Sequence, residues 1–456
     1  MKALPVVLLA LAVATAIPAW FLSSEPASVP ELADRYFGVE LETDDAAEAE
    51  AASLADEVGK IRIVTWGDGG PDELLVEEDD GAWRIRTRYD YPADGEEQVG
   101  ETAGSLIGVA KLREVTSEER YHEELGVIDP LDDSVTVEGG RGQRATLWSA
   151  SGDVLVDVII GTYVEGASEQ RYLREADDPT VYTADFSAAL SSRFIDWVEP
   201  NPFDLEAAHV RSITIEDYSI DEAKGSISRR SSTEFSRSGQ DADWISAQAP
   251  TGQHAKAQTV DALVTTVAGL RLADVSKRLG LGQAELVARG IFLDQQGGVY
   301  GNEGALRVTT NLGYTYHLFF GEVASSATEA ADEPSDATAD NDRLVAVWMT
   351  YDQSSDELLP QVPVVPLNPV GQEDDNGEAL AKAKEAQKKA EEEREAHIAE
   401  RTATTQRLTA KYQDYFYVIR DSDFQALRPA KEALFEPVPA EFQPPEGEDP
   451  LLQGNE

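Results

Sequence analysis

The chain has 456 residues, a formal charge of −48 at pH 7 and no cysteine, and 41% of its residues are hydrophobic. That length and apolar content suit two or three packed domains and exclude wholesale disorder. The charge argues against nucleic acid and anionic lipid heads as partners, and the absence of thiols excludes disulfides, thiolate zinc sites, iron–sulfur clusters and cysteine nucleophiles.

The acid is spread along the whole sequence. That fits a surface adapted to a saline medium, although an acidic face for cations or basic partners gives the same composition. At the N-terminus, Ala3 to Leu22 carry no charged side chain and end in Trp20-Phe21. About 20 residues at roughly 1.5 Å each span a hydrocarbon core, and interfacial aromatics belong at such an end. Residues 1–22 are therefore expected to be a single-pass anchor, with everything after about residue 23 on the extracytoplasmic side. A cleaved signal with Ala14-Thr15-Ala16 as its processing site is the competing reading, and the length of the segment favours the anchor. Residues 23–59, rich in Ala, Glu and Asp, read as an acidic tether.

From residue 60 the chain reads as an α+β fold built from one module used twice, antiparallel sheet with helices on one face. Module 1 is placed at 60–204. Short strands lead to Trp83, a helix is expected over Glu97–Leu112, and a shorter one near Ser117–Leu125 stops at Gly126. A hairpin (Ala145–Ser149, Val154–Ile160) then closes on Gly161. Module 2, at 205–351 plus 412–430, repeats the order through Trp244, a helix over Ala255–Leu270, a short helix Gln283–Arg289 and a hairpin closing on Gly321. Trp83 to Gly161 is 78 residues and Trp244 to Gly321 is 77, a spacing that marks an internal repeat. The first copy ends in a strand and a short helix, Val181 to Leu190, whose counterpart falls far downstream at Phe416–Ile419, Asp423-Phe424 and Leu427.

Residues 352–411 are therefore an insertion: a Pro-rich limb, then a charged Ala/Glu/Lys/Arg helix. Glu378/Lys382 and Glu385/Lys389 are favourable i,i+4 pairs, worth about 0.2–0.5 kcal/mol each. Leu380, Ile398 and Leu408 are too few for a coiled-coil seam, so a solvated, projecting helix of about 50 Å is expected. Residues 431–456 read as an acidic, Pro-rich, disordered tail.

No catalytic, cofactor-binding or metal-binding residue emerges. His122, His209, His254, His317 and His397 share no metal-ligand spacing; His317 reads as a sheet residue and His397 as a solvated one. Gly280-Leu281-Gly282 carries Glu285 where a phosphate loop needs glycine, so a helix cap fits better. Gly104-Ser105-Leu106-Ile107-Gly108 sits inside a helix pattern and fails as a nucleophile elbow. Asp217-x-Ser219-x-Asp221 lacks the glycine and the acidic last position of a calcium loop. Asp129, Asp132 and Asp133 offer at most a shallow cation site. Trp83 and Trp244 read as core residues where sheet meets helix.

The strand ending in Trp83 with Tyr91-Pro92-Ala93 after it, the hairpin closing on Ile160-Gly161, and the strand-then-Asp-Phe ending together resemble the bacterial family known as domain of unknown function 4340. The likeness is expected to cover roughly Lys60 to Arg428 and the leading membrane segment. It implies an anchored envelope protein with no established activity, associated with ABC-type transport systems of the gliding-motility kind. On this reading the chain is a non-enzymatic, membrane-tethered scaffold or accessory protein contacting an envelope or ABC-transporter partner, without cofactor. The alternative is a ligand-binding module using the groove between the repeats, and a carboxylate-based hydrolase ranks third.

Overall fold

The computed structural model describes residues 36–37, 51, 53–67, 70–199, 201–221, 226–294, 296–324, 341–365 and 376–439. The expected anchor at 1–22 lies outside the described residues, as does most of the tether at 23–59. Among the described residues, no helix is long and apolar enough to cross a membrane. The fold is mixed α+β, mostly antiparallel sheet with few helices. Two compact units divide the chain, the first up to Glu199 and the second from Pro200.

The first unit holds β1 (Val58–Gly67), β2 (Gly70–Asp79), β3 (Ala82–Ile85), β4 (Tyr91–Pro92), α1 (Gly95–Leu106), β5 (Arg113–Thr116), α2 (His122–Leu125), β6 (Gln143–Ser149), β7 (Val154–Val164), β8 (Ala167–Glu175) and β9 (Val181–Asp185). Its nine-stranded sheet runs β4-β3-β2-β1-β6-β7-β8-β9-β5. Alternation sets the two faces. Ile61 pairs with Leu147 and Ile63 with Ala145, and all four are buried, whereas Arg62 pairs with Thr146 on the other side. Leu125 of α2 packs with Val127, Ile159 and Val181. Ile159 lies between Val158 and Ile160 on β7, so α2 covers the face opposite to theirs. One part of the expected tether belongs to this unit: Phe37 is fully buried, its N–H donates to Val109 O at 3.1 Å, and its ring meets Tyr182 edge-on at 6.1 Å.

The second unit holds β10 (Val210–Asp221), β11 (Ser226–Ser236), β12 (Gln253–Ala255), α3 (Ala257–Ala268), β13 (Asp274–Lys277), α4 (Gln283–Ala288), β14 (Ile291–Leu293), β15 (Val299–Gly301), β16 (Ala305–Thr310), β17 (Leu312–Val323), β18 (Arg343–Asp356), α5 (Asn376–Gln413), β19 (Tyr415–Ile419), α6 (Asp421–Leu427) and β20 (Phe435–Pro437). Its main sheet runs β11-β10-β16-β17-β18-β19-β13. Taken strand by strand, that is the order β2-β1-β6-β7-β8-β9-β5 of the first unit. Beyond β11, where the first sheet continues into β3, a single bridge joins Ser236 to Ile245, next to Trp244. Every residue of β19 is buried, as a strand of aromatic and aliphatic residues with no polar alternation requires of its two faces, and it is paired with β18 on one side and β13 on the other.

The closing glycines occupy the same notch in both units. Pairing between β7 and β8 skips from Ile160 to Tyr163, and pairing between β17 and β18 skips from Phe320 to Val323. Each irregularity leaves a glycine against the end of a short helix. A Cβ on Gly161 would lie 2.4 Å from Leu125 O, and one on Gly321 would lie 2.4 Å from Arg289 O. The residues that follow those carbonyls, Gly126 and Gly290, turn with φ of +68° and +73°, a conformation glycine adopts without strain.

Several expectations change. Helices are not confined to one face. Phe424 of α6 stacks edge-on with Phe320, and Tyr412 of α5 with Tyr417, whereas Leu286 of α4 packs on the opposite side against the cluster that holds Ala346 and Phe416. No helix occupies Phe186–Leu190 in the first unit, although α6 follows β19 in the second. The charged helix is not free along its length. Arg394, His397, Arg401, Thr405, Thr409 and Tyr412 recur at helical spacing on α5. Thr409 Oγ1 donates to Met349 O at 2.9 Å, and Tyr412 joins Phe203 and Tyr417 in a buried aromatic cluster. Apolar counting missed this seam because polar groups make most of it. The strand preceding the insertion runs to Asp356 rather than stopping at residue 351. Residues 431–439, expected to open a disordered tail, bury Leu434 and Phe435 and pair β20 with β12.

Candidate functional site

The cavity in the first unit begins with a loop that the sequence alone leaves shapeless. Between Ile128 and Gly142 the backbone turns back on itself, with Ile128 N–H donating to Gly140 O at 3.0 Å and Gly142 N–H to Ile128 O at 2.8 Å. Arg141 organises it. Its guanidinium donates to the carbonyls of Asp129, Pro130, Asp132, Val135 and Val137, and stacks 3.9 Å from the centre of the Trp66 ring. A planar fork with five N–H groups is suited to such a role and an ammonium is not.

This loop, α2 and the turn after β8 enclose an open cavity of about 430 Å³, with Ile128, Val135 and Val137 among its walls. Arg174 lies in its lining and is only 7% exposed. Nε donates to Val127 O at 2.8 Å, and Nη1 reaches the carbonyls of Glu175, Ala176 and Asp178 at 2.9, 3.0 and 3.4 Å. Nη2 has no hydrogen-bond partner among the described residues, and no carboxylate there pairs with this guanidinium. Burial pulls its pKa down, against the pull of Asp129, Glu119 and Asp178 nearby. It stays cationic at neutral pH.

His122 shares the lining and is 8% exposed. Its Nε2 lies 2.9 Å from Pro179 O. A carbonyl only accepts, so Nε2 carries the proton and Nδ1 keeps its lone pair. Burial lowers the pKa of the ring, and Arg174 adds to the effect.

At the mouth stand Glu119, Glu123 and Asp177, all exposed, whose carboxylates have no hydrogen-bond or ion-pair partner among the described residues. The deeper acids are engaged. Asp129 Oδ2 lies 2.7 Å from Arg144 Nη1, and Asp132 Oδ1 accepts from the N–H and hydroxyl of Ser134, which holds its pKa below the ordinary carboxylate value. Asp129 and Asp132, named from the sequence, thus line this cavity, but neither is poised as a cation ligand. Arg174 gave no signal in the sequence, since nothing local distinguishes a buried arginine in β8 from a half-buried one such as Arg171.

The other sequence candidates are scattered. His209 sits 3.9 Å from Glu206, and His254 lies on β12, 3.8 Å from Glu436. His317 lies on β17 beside Thr350. His397 is not solvated; it bonds Asp356. Among the described residues, no group of three or more His, Asp or Glu side chains is disposed to hold a metal. Gly282 caps α4 with its N–H 2.7 Å from Glu285 Oε2, so a carboxylate already fills the anion position. Ser105 Oγ donates to Thr102 O within α1. Asp217 lies on a strand between Arg230 and Arg428, at 2.7 and 2.8 Å. Trp244 is buried with Nε1 donating to Asp261 at 2.8 Å, whereas Trp83 is half-buried.

An α+β chain with two sheet units of matching strand order, and a polar cavity walled within the first, is the class that these observations define. Residues 83–290 match the family model described as Domain of unknown function (DUF4340). The match starts at Trp83, includes Tyr91-Pro92 and Ile160-Gly161, and ends at Gly290. It is shorter than the span expected from the sequence. No curated protein and no solved structure matches the chain.

Proposed function

We propose that the chain is a membrane-tethered, extracytoplasmic scaffold or accessory protein, without catalytic activity of its own, that contacts an envelope or ABC-transporter partner. The observation that carries this reading is the matching strand order of the two sheets. It is what one module used twice would give, with the second copy opened between β18 and β19 to admit α5. Two copies of one unit offer related surfaces for protein contacts. The uncharged stretch from Ala3 to Leu22 supports the tether.

The test has two arms on the full-length chain in its host membrane. Retention in the membrane pellet after a carbonate wash, release on deleting residues 1–22, and digestion by protease added outside the inner membrane are the expected results. A photo-crosslinker at exposed Tyr163 or Ile245 should trap one integral membrane protein reproducibly. A soluble full-length chain, or a monomer that traps nothing after gentle solubilisation, overturns the proposal.

A further inference from the structure

The cavity beside Arg174 has its unengaged positive charge inside and its unengaged negative charge at the mouth, since the other acids of its lining, Asp129, Asp132 and Asp178, are held by Arg144, Ser134 and the Thr180 N–H, an arrangement that selects among ligand classes. The floor holds a desolvated guanidinium whose Nη2 has no partner among the described residues, and the buried ring of His122, whose Nδ1 likewise has no hydrogen-bond partner there. The mouth holds the exposed carboxylates of Glu119, Glu123 and Asp177. Arg120, also at the mouth, is already paired with Glu118 at 2.7 Å. A simple anion such as phosphate must pass three carboxylates to reach Arg174 and is repelled. A simple cation is welcome at the mouth but meets Arg174 inside.

We propose that this cavity binds a small zwitterion, with its carboxylate on Arg174 Nη2 and its ammonium among Glu119, Glu123 and Asp177: an amino acid or short peptide. A carboxylate there would complete the fork of Arg174 with a charge-assisted bond. The ammonium would sit where the carboxylates have no other partner among the described residues. Ile128, Val135 and Val137 would take the apolar part between the charged ends. At about 430 Å³ the cavity falls within the usual range for small-ligand sites and is ample for a dipeptide. The inference is independent of the tether and of the scaffold reading. Arg174 also staples four backbone carbonyls, which holds its guanidinium in one place at the cavity floor.

The experiment is calorimetric titration of the full-length protein in detergent with L-alanyl-L-alanine, acetate, inorganic phosphate and ethylammonium, each in separate runs. Saturable heat from the dipeptide, with at least tenfold weaker responses to the other three, is the expected result. The variant Glu119→Gln/Glu123→Gln/Asp177→Asn changes only exposed side chains and should weaken dipeptide binding at least tenfold without weakening acetate. Val135→Trp should abolish binding by filling the space, with the circular dichroism spectrum showing that the fold is kept. No dipeptide heat, a preference for phosphate or acetate, or an unchanged Kd in both variants overturns the proposal and leaves Arg174 as a staple.

Discussion

His397 Nε2 lies 2.8 Å from Oδ2 of Asp356, whose side chain has no exposed surface. The pair fastens α5 to the end of β18. Tyr351 OH donates to the same oxygen at 2.9 Å, and Leu358 N–H donates to Oδ1 at 3.0 Å. Arg401 Nε lies 3.8 Å away and its Nη1 donates to Tyr314 OH. Burial, reinforced by the bond to Asp356, pushes the Tyr351 phenol up to about 12, so it remains a donor at neutral pH.

Asp356→Ala should therefore destabilise the second unit by about 2–3 kcal/mol, and His397→Ala by about 1–3 kcal/mol, since each leaves buried polar partners unmet. Combined, they should cost less than their sum, because both remove one interaction. Urea unfolding gives the energies. Amide exchange should rise in the last half of α5, from about Arg394, and leave the first unit unchanged.

The His317 ring is packed against Phe319, nearly parallel at 6.4 Å between centres. Desolvation, then the neighbouring Arg307 charge, lowers its pKa from 6.5 to about 4. Between those values the unfolded chain binds a proton and the folded one does not, so stability rises with pH across that window. Its contribution is fully present above pH 6.5 and is lost as pH falls toward 4. His317→Gln should flatten the pH dependence of unfolding over pH 4–6.5, and an imidazole resonance titrating near 6.5 would refute the assignment.

Gly161→Ala and Gly321→Ala should each destabilise by about 1–3 kcal/mol, since a methyl group would meet a backbone carbonyl at 2.4 Å with no flexible neighbour to give way. The two notches share no partner, so the double variant should be additive within about 0.5 kcal/mol. Alanine at Gly152, where nothing lies within 4 Å, controls for crowding, although its φ of +95° brings a separate backbone strain.

Arg141→Lys should loosen the loop between Ile128 and Gly142 despite keeping the charge, because one ammonium cannot reach the same carbonyls or stack on Trp66 in the same way. Faster exchange of the Ile128 and Gly142 amides is the measurement. Unchanged protection would show that the loop holds its shape without the guanidinium.

What could be read from the sequence follows from locality. The Trp-to-Gly spacing was legible because bulge and helix cap both demand glycine, and Gly126, Gly161, Gly290 and Gly321 are written into the chain whatever their neighbours. The apolar run Phe416–Ile419 likewise announces an interior strand. By contrast, the docking of α5 depends on His397 meeting Asp356, 41 positions earlier in the chain, and no local pattern encodes that meeting. Composition pointed to solvent for His397. The cavity was half visible: Asp129 and Asp132 drew notice as acids, but Arg174 acquires its character only from the carbonyls that the fold gathers round it.

The placement of β19 has a consequence for the order of events during synthesis. The first sheet has all nine strands once Asp185 has emerged from the ribosome, whereas the second must wait for Ile419, because β13 pairs only with β19 in that sheet. Until then β18 has an unpaired side, a nascent-chain hazard of the kind chaperones attend to. A stop codon anywhere in the long helix would therefore do more than trim an appendage: it would leave the second sheet without its closing strand.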